Sequence, residues 1–132
     1  MILVDSSVLI DVLNGRETLQ TRRLEELSLD EQDLAVGDLM IVEVLQGTRT
    51  NRAFELARAY LSDFSQLRIS DVPVAEQAAR NYRALRHRGI TIRKTIDTLI
   101  ATRRIMAEVP LLYNDRDFDP FVEHLGLRSA MT

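Results

Sequence analysis

Apolar positions along this chain follow two rhythms that alternate. Short segments rich in leucine or β-branched residues stand at Met1–Val4, Leu34–Val36, Leu67–Ile69 and Leu111–Tyr113. Each is the right length for a buried strand and is soon followed by polar or turn-forming residues. Between them the apolar residues recur at helical spacing. Val8 to Leu13 predicts a helix ending near Asn14-Gly15, and Leu19, Leu24 and Leu27 predict a second before the acidic loop Asp30–Asp33. Asn51–Leu61 carries Phe54, Ala57 and Leu61 on one face. Pro73 suits the first residue of another helix, whose stripe Val74, Ala78, Tyr82 and Leu85 stops before Gly89. Thr95 can cap a helix running to about Ala107, a short helical segment is predicted around Phe118–His124, and a last strand at Leu127 and Arg128. Leu39–Leu45 fits either state: its β-branched content suggests a strand, but Asp38 before it is a plausible N-cap, and helix is the better reading.

Strands alternating with helices imply a parallel sheet covered on both faces, a three-layer α/β/α architecture with a short, mostly parallel central sheet. The chain has 132 residues, 45% of them apolar, and no repeat or linker interrupts the pattern, so residues 1–132 read as one domain. In an open parallel sheet the ligand site lies beyond the carboxyl ends of the strands. Asp5 follows the first predicted strand and Asp115 the fourth.

Composition narrows the chemistry. There is no cysteine, which removes disulfides, thiolate metal sites and cysteine nucleophiles. The two histidines, His87 and His124, stand far apart without metal-ligand spacing and read as ordinary surface or packing residues. Any metal must therefore be held by carboxylates, which favour hard cations such as Mg²⁺ or Mn²⁺. Met1–Val4 ends at once in Asp5 with no basic segment before it, and no apolar run approaches the roughly 20 residues that span a bilayer. A cytoplasmic protein with no membrane attachment is expected. The net charge of -3 advertises no nucleic-acid partner. Basic residues do cluster locally at Arg80, Arg83, Arg86, His87, Arg88, Arg93 and Lys94, a stretch without acids.

Each candidate acid has an ordinary explanation beside the chemical one. Asp5 before a helix is a common cap, and Asp97 in a first helical turn complements the helix dipole. Glu43 is flanked by Met40, Ile41, Val42, Val44 and Leu45, with no Lys or Arg three or four positions away. If buried there it needs a tertiary partner or a cation, whereas on a narrow exposed stripe it needs nothing. Asp115, Asp117 and Asp119 crowd three acids after a strand, which is either a solvated turn or a cation site.

Taken together, Asp5 in VDSSVLIDVL, Glu43 in IVEVLQG, Asp97 in TIDTLIATR, and Asp115 with Asp117 in LLYNDRDFD resemble the PIN-domain ribonucleases, and within them the VapC toxins of bacterial VapBC toxin–antitoxin pairs. The likeness runs from Met1 to about Arg128. It implies that Asp5, Glu43, Asp97 and Asp115 are the catalytic acids, with Asp117 accessory and Asp5, Asp97, Asp115 and Asp117 as metal ligands. It also implies that Ser7 or Asn114 holds water or phosphate, and that one or two Mg²⁺ or Mn²⁺ ions drive hydrolysis of RNA phosphodiester bonds, in tRNA or another structured RNA. Arg86, Arg93 and Lys94 are then the best RNA contacts in the basic stretch, and a homodimer and a VapB-type antitoxin are the implied partners. Pro110 and Tyr113 depart from the family's usual residues, Tyr113 standing where His is frequent.

Two other readings compete. In a phosphotransfer or phosphatase domain Asp5 would accept phosphate, but Ser7 stands where a phosphatase needs its second Asp, and Lys94 is the lone lysine. In a non-catalytic binding module the acids would be caps and the basic helix a docking face.

Overall fold

The computed structural model describes residues 1–131. Strands β1 (Ile2–Val4), β2 (Leu34–Gly37), β3 (Ser65–Leu67) and β4 (Leu111–Leu112) form one sheet in the order β3-β2-β1-β4. All three pairings are parallel, with Leu3 opposite both Ala35 and Leu111. Parallel neighbours require crossover connections, and helices supply each of them. These are α1 (Ser6–Leu13) and α2 (Leu19–Leu29), then α3 (Asp38–Gln46) and α4 (Asn51–Ser62), then α5 (Val72–His87) and α6 (Thr95–Ala107); α7 (Asp119–Leu125) closes the order. The result is the expected three-layer α/β/α fold, its sheet parallel throughout.

Three of the strands, β1, β2 and β4, are covered on both faces. Leu3, Val4, Ala35, Val36, Leu111 and Leu112 are fully buried, which explains why they read as continuous apolar runs rather than alternating ones. Helices contribute Val8, Leu9, Met40, Leu61, Leu85, Ile100 and Phe121 to the same core. The chain leaves β1 toward β2 on one side and returns to β4 on the other, so the strand order reverses beside β1. A crevice opens at such a reversal beyond the carboxyl ends of the strands, where the residues after β1 and β4 are Asp5 and Tyr113-Asn114-Asp115.

Several boundaries differ from the sequence reading. α1 begins at Ser6, two residues before Val8, because the Asp5 side chain caps it by accepting the Ser7 amide proton. Asp38 is the first residue of α3 rather than its cap; Gly37 takes the cap position, and Asp38 Oδ1 accepts from the amides of Leu39 and Ile69, both at 3.0 Å. That second bond takes Ile69 out of the sheet, so β3 lies at Ser65–Leu67 instead of Leu67–Ile69, while the Ile69 side chain stays buried. Asp71 caps α5 and Pro73 sits one residue inside it. Thr95 is the first residue of α6, whose cap position is Lys94. Phe54 remains 38% exposed while Ala57 and Leu61 are buried, so the inward stripe of α4 is narrower than its periodicity suggests. No strand forms at Leu127–Arg128; Ser129 instead makes one parallel bridge to Leu111, flanked by amide bonds from Leu111 to Arg128 and from Ala130 to Leu111.

Candidate active site

Four elements bring acids together beyond the sheet. Asp5 is the cap of α1, directly after β1, and is only 3% exposed. Its Oδ2 accepts from the Ser7 amide at 3.0 Å and the Ser7 hydroxyl at 2.6 Å. Glu43 projects from α3, half-buried, and its Oε1 accepts from the Ser6 hydroxyl at 3.2 Å. Asp97 lies in the first turn of α6, 3% exposed, and its Oδ2 is buried with no hydrogen-bond partner among the described residues. Asp115 follows β4 and caps a single 3-10 turn, Arg116–Phe118, by accepting the Asp117 amide at 2.9 Å.

These carboxylates work against one another. Burial raises the Asp5 pKa, Asp115 adds to the rise, and the Ser7 hydrogen bonds oppose it. Glu43 is raised by burial and then by the charge of Asp5. Asp97 is pushed from the ordinary 3.8 to about 7 by burial and by the negative charges of Asp5 and Asp115. Two cations answer from the segment before α6. Lys94 Nζ lies 3.4 Å from Asp115 Oδ2 and Arg93 Nη2 lies 3.4 Å from Asp117 Oδ1. The Lys94 pKa is raised, chiefly by Asp97 and then by Asp115.

A divalent cation fits this arrangement. Asp97, Asp115 and Asp117 each offer one oxygen, and the three oxygens lie within 4.8 Å of one another. An all-oxygen donor set suits Mg²⁺ or Mn²⁺. The unpartnered Asp97 Oδ2 supplies the independent sign, because a buried carboxylate oxygen left without any donor is costly unless something positive completes it. Asp5 stands outside the tight trio, although its charge is felt by both Glu43 and Asp97.

The remaining sequence candidates are placed unevenly. Ser7 and Asn114 join the acids: the Ser7 hydroxyl donates to Asp5 and accepts from the Asn114 amide at 3.0 Å, so its one proton is committed to orienting Asp5. Arg93 and Lys94 reach the acidic loop. Arg86 stays on the exposed face of α5 with its guanidinium 5.8 Å from the centre of the Tyr82 ring, and among the described residues nothing joins it to the carboxylates. Tyr113 donates to Asp119 at 3.1 Å and packs against the buried Phe118, and burial followed by Asp119 pushes its pKa up to about 12.

Two roles escaped the sequence reading, in which Ser6 stood with Ser7 only as a small hydroxyl residue after Asp5. Ser6 is the donor that answers the half-buried Glu43. Asp11 is 8% exposed on α1 and accepts from Asn114 Nδ2 at 3.1 Å and from Arg16 Nη1 at 3.4 Å. The signal for Asp11 was present, a carboxylate set in the apolar run Val8–Leu13, the same signal that singled out Glu43.

A family profile described as the PIN domain matches residues 2–121. The chain belongs to the PIN domain family. As a PIN domain it is similar to a curated relative named VapC ribonuclease Mb1587, of Mycobacterium bovis, with 27% identity over 98% of both chains. Among solved structures it is similar in fold to a chain of VapBC2 from Rickettsia felis, bound to a promoter DNA fragment, with a TM-score of 0.75, 18% identity, and 98% of this chain and 97% of that one covered. A chain of a toxin–antitoxin complex from Klebsiella pneumoniae gives a TM-score of 0.69 at 21% identity, with 98% of both chains covered. The acids of this PIN domain thus sit on a frame shared over almost its whole length.

Proposed function

We propose that this PIN domain is a metal-dependent endoribonuclease of the VapC toxin type, in which Asp5, Glu43, Asp97 and Asp115 form the catalytic centre and Asp117 assists. The observation that carries the proposal is the trio Asp97, Asp115 and Asp117, whose oxygens lie within 4.8 Å of one another around a buried carboxylate oxygen without a partner. Bound there, Mg²⁺ or Mn²⁺ supplies the Lewis acid that lowers the pKa of water and offsets charge on a phosphodiester. The chain does the rest. Ser7 holds Asp5 and Ser6 holds Glu43, fixing two carboxylates at the rim. Lys94 and Arg93, exposed and beside the acidic loop, attract the RNA backbone to a site that would otherwise repel it. Arg86, exposed on α5 and apart from the acidic loop, is the further RNA contact we propose.

The phosphotransfer alternative finds little support: Asp5 is 3% exposed and one of its oxygens already takes two hydrogen bonds. The partners we propose are a VapB-type antitoxin, since similar structures are of VapBC2 and of a toxin–antitoxin complex, and a second copy of this chain. Exposed Leu13, Val42 and Leu56 on α1, α3 and α4 provide apolar surface for both. Among the described residues no helix is long and apolar enough to cross a membrane, and we place the activity in the cytoplasm, where its RNA is.

The test is cleavage of tRNA and a structured RNA by purified protein. Cleavage is expected with Mg²⁺ or Mn²⁺, absent in EDTA, and abolished by Asp97→Asn or Asp115→Asn. RNA binding without cleavage under any metal condition would establish a binding module instead.

A further inference from the structure

We propose that Asp11, which lies outside the acid cluster, is a positioning residue for the metal-binding loop. The proposal rests on the nuclease reading above. Asn114 immediately precedes Asp115, and α1 grips it at two points: its main-chain amide donates to Ser7 Oγ at 3.0 Å and its side-chain Nδ2 donates to Asp11 Oδ2 at 3.1 Å. Between β4 and the 3-10 turn only Tyr113, Asn114 and Asp115 span the gap, so whatever fixes Asn114 fixes where the Asp115 carboxylate starts from.

Asp11 suits that task for a chemical reason. It is a buried carboxylate that only accepts hydrogen bonds, so it selects the NH₂ end of the Asn114 amide. A continuous chain of hydrogen bonds then runs Asp11–Asn114–Ser7–Asp5, tying two proposed acids, Asp5 after β1 and Asp115 after β4, to one turn-and-a-half of α1. Partners of this outer kind orient carboxylates around a cation, and losing one typically weakens metal affinity about 10- to 100-fold. A rival role for Asp11 is a local one, pairing with exposed Arg16 at 3.4 Å to secure the end of α1.

Mn²⁺ titration by calorimetry, with thermal melts of each protein in EDTA, separates these roles. Asp11→Ala and Asn114→Ala are each expected to weaken Mn²⁺ binding about tenfold or more. The double variant should be no weaker than the poorer single one, because both remove the same bond. Asp11→Asn, whose amide oxygen can still accept from Asn114, should stay within about threefold of the parent, and Arg16→Ala should leave affinity unchanged. Asn114 is solvent-exposed, so Asn114→Ala decides the matter even if Asp11→Ala does not fold. Unchanged affinity in Asn114→Ala, additive losses in the double variant, or an equal loss in Arg16→Ala overturns the positioning role while leaving the nuclease reading intact. Failure of the parent protein to bind Mn²⁺ overturns both.

Discussion

Asp97→Asn removes a charge that the metal-free fold tolerates poorly. In the unfolded chain this carboxyl ionises near its ordinary 3.8, and in the fold near 7, chiefly through burial and then through the charges of Asp5 and Asp115. Because the folded value is the higher one, the folded protein holds the proton more tightly. The contribution of this carboxyl to stability is greatest below pH 4, falls as pH rises toward about 7, and stays low above that. The full difference amounts to roughly 4 kcal/mol at pH 8. Asparagine keeps the shape and cannot ionise, so urea denaturation in EDTA at pH 8 should show the variant more stable by up to about 4 kcal/mol, and by under about 2 kcal/mol at pH 5. Manganese should narrow that gap. At a concentration 100-fold above its dissociation constant it stabilises the parent by about 2.7 kcal/mol, and a variant that no longer binds it gains nothing. A variant less stable than the parent in EDTA at pH 8, or a gain that does not change between pH 5 and pH 8, would show that repulsion and burial at this carboxylate are not what the geometry implies.

Two stability predictions test the frame. Arg104 on α6 is 2% exposed, its Nε and Nη1 have no partner, and burial pushes its pKa down to about 10. Arg104→Met should raise stability to urea by about 1–2 kcal/mol, and a loss of more than about 1 kcal/mol would mean the guanidinium is satisfied after all. At Gly37, between β2 and α3, an added Cβ would lie 2.4 Å from both Cγ1 and Cδ1 of the fully buried Ile69. Gly37→Ala should lower stability by about 1–3 kcal/mol, and an unchanged melting temperature would show that this junction has room.

Much of the fold was legible in the chain because the rules that build it are local. Leu111-Leu112 and Ile2-Leu3-Val4 announce buried strands by composition, and the stripe Val74, Ala78, Tyr82, Leu85 announces a helix by spacing. Boundaries proved less legible where a distant partner intervened. Asp38 reads as a cap in isolation, yet it accepts from the Ile69 amide, 31 residues on, and β3 lies two residues earlier than its composition suggests. The site divides along the same line. Asp5 and Asp115 were visible as acids ending strands, whereas Asp11, although set in an apolar run, had no assignable partner until Asn114, 103 residues later, was laid beside it.

By itself, then, the sequence determined the order of strands and helices, the absence of cysteine chemistry, and which acids were available. Only the tertiary structure decided that Asp97, Asp115 and Asp117 bring oxygens within 4.8 Å of one another, and that Asp97 keeps one oxygen buried and without a donor. The reason is physical: the periodicity that makes a helix or strand is set by neighbours a few residues away, but Coulomb repulsion and hydrogen bonding depend on distance in space, which only packing supplies.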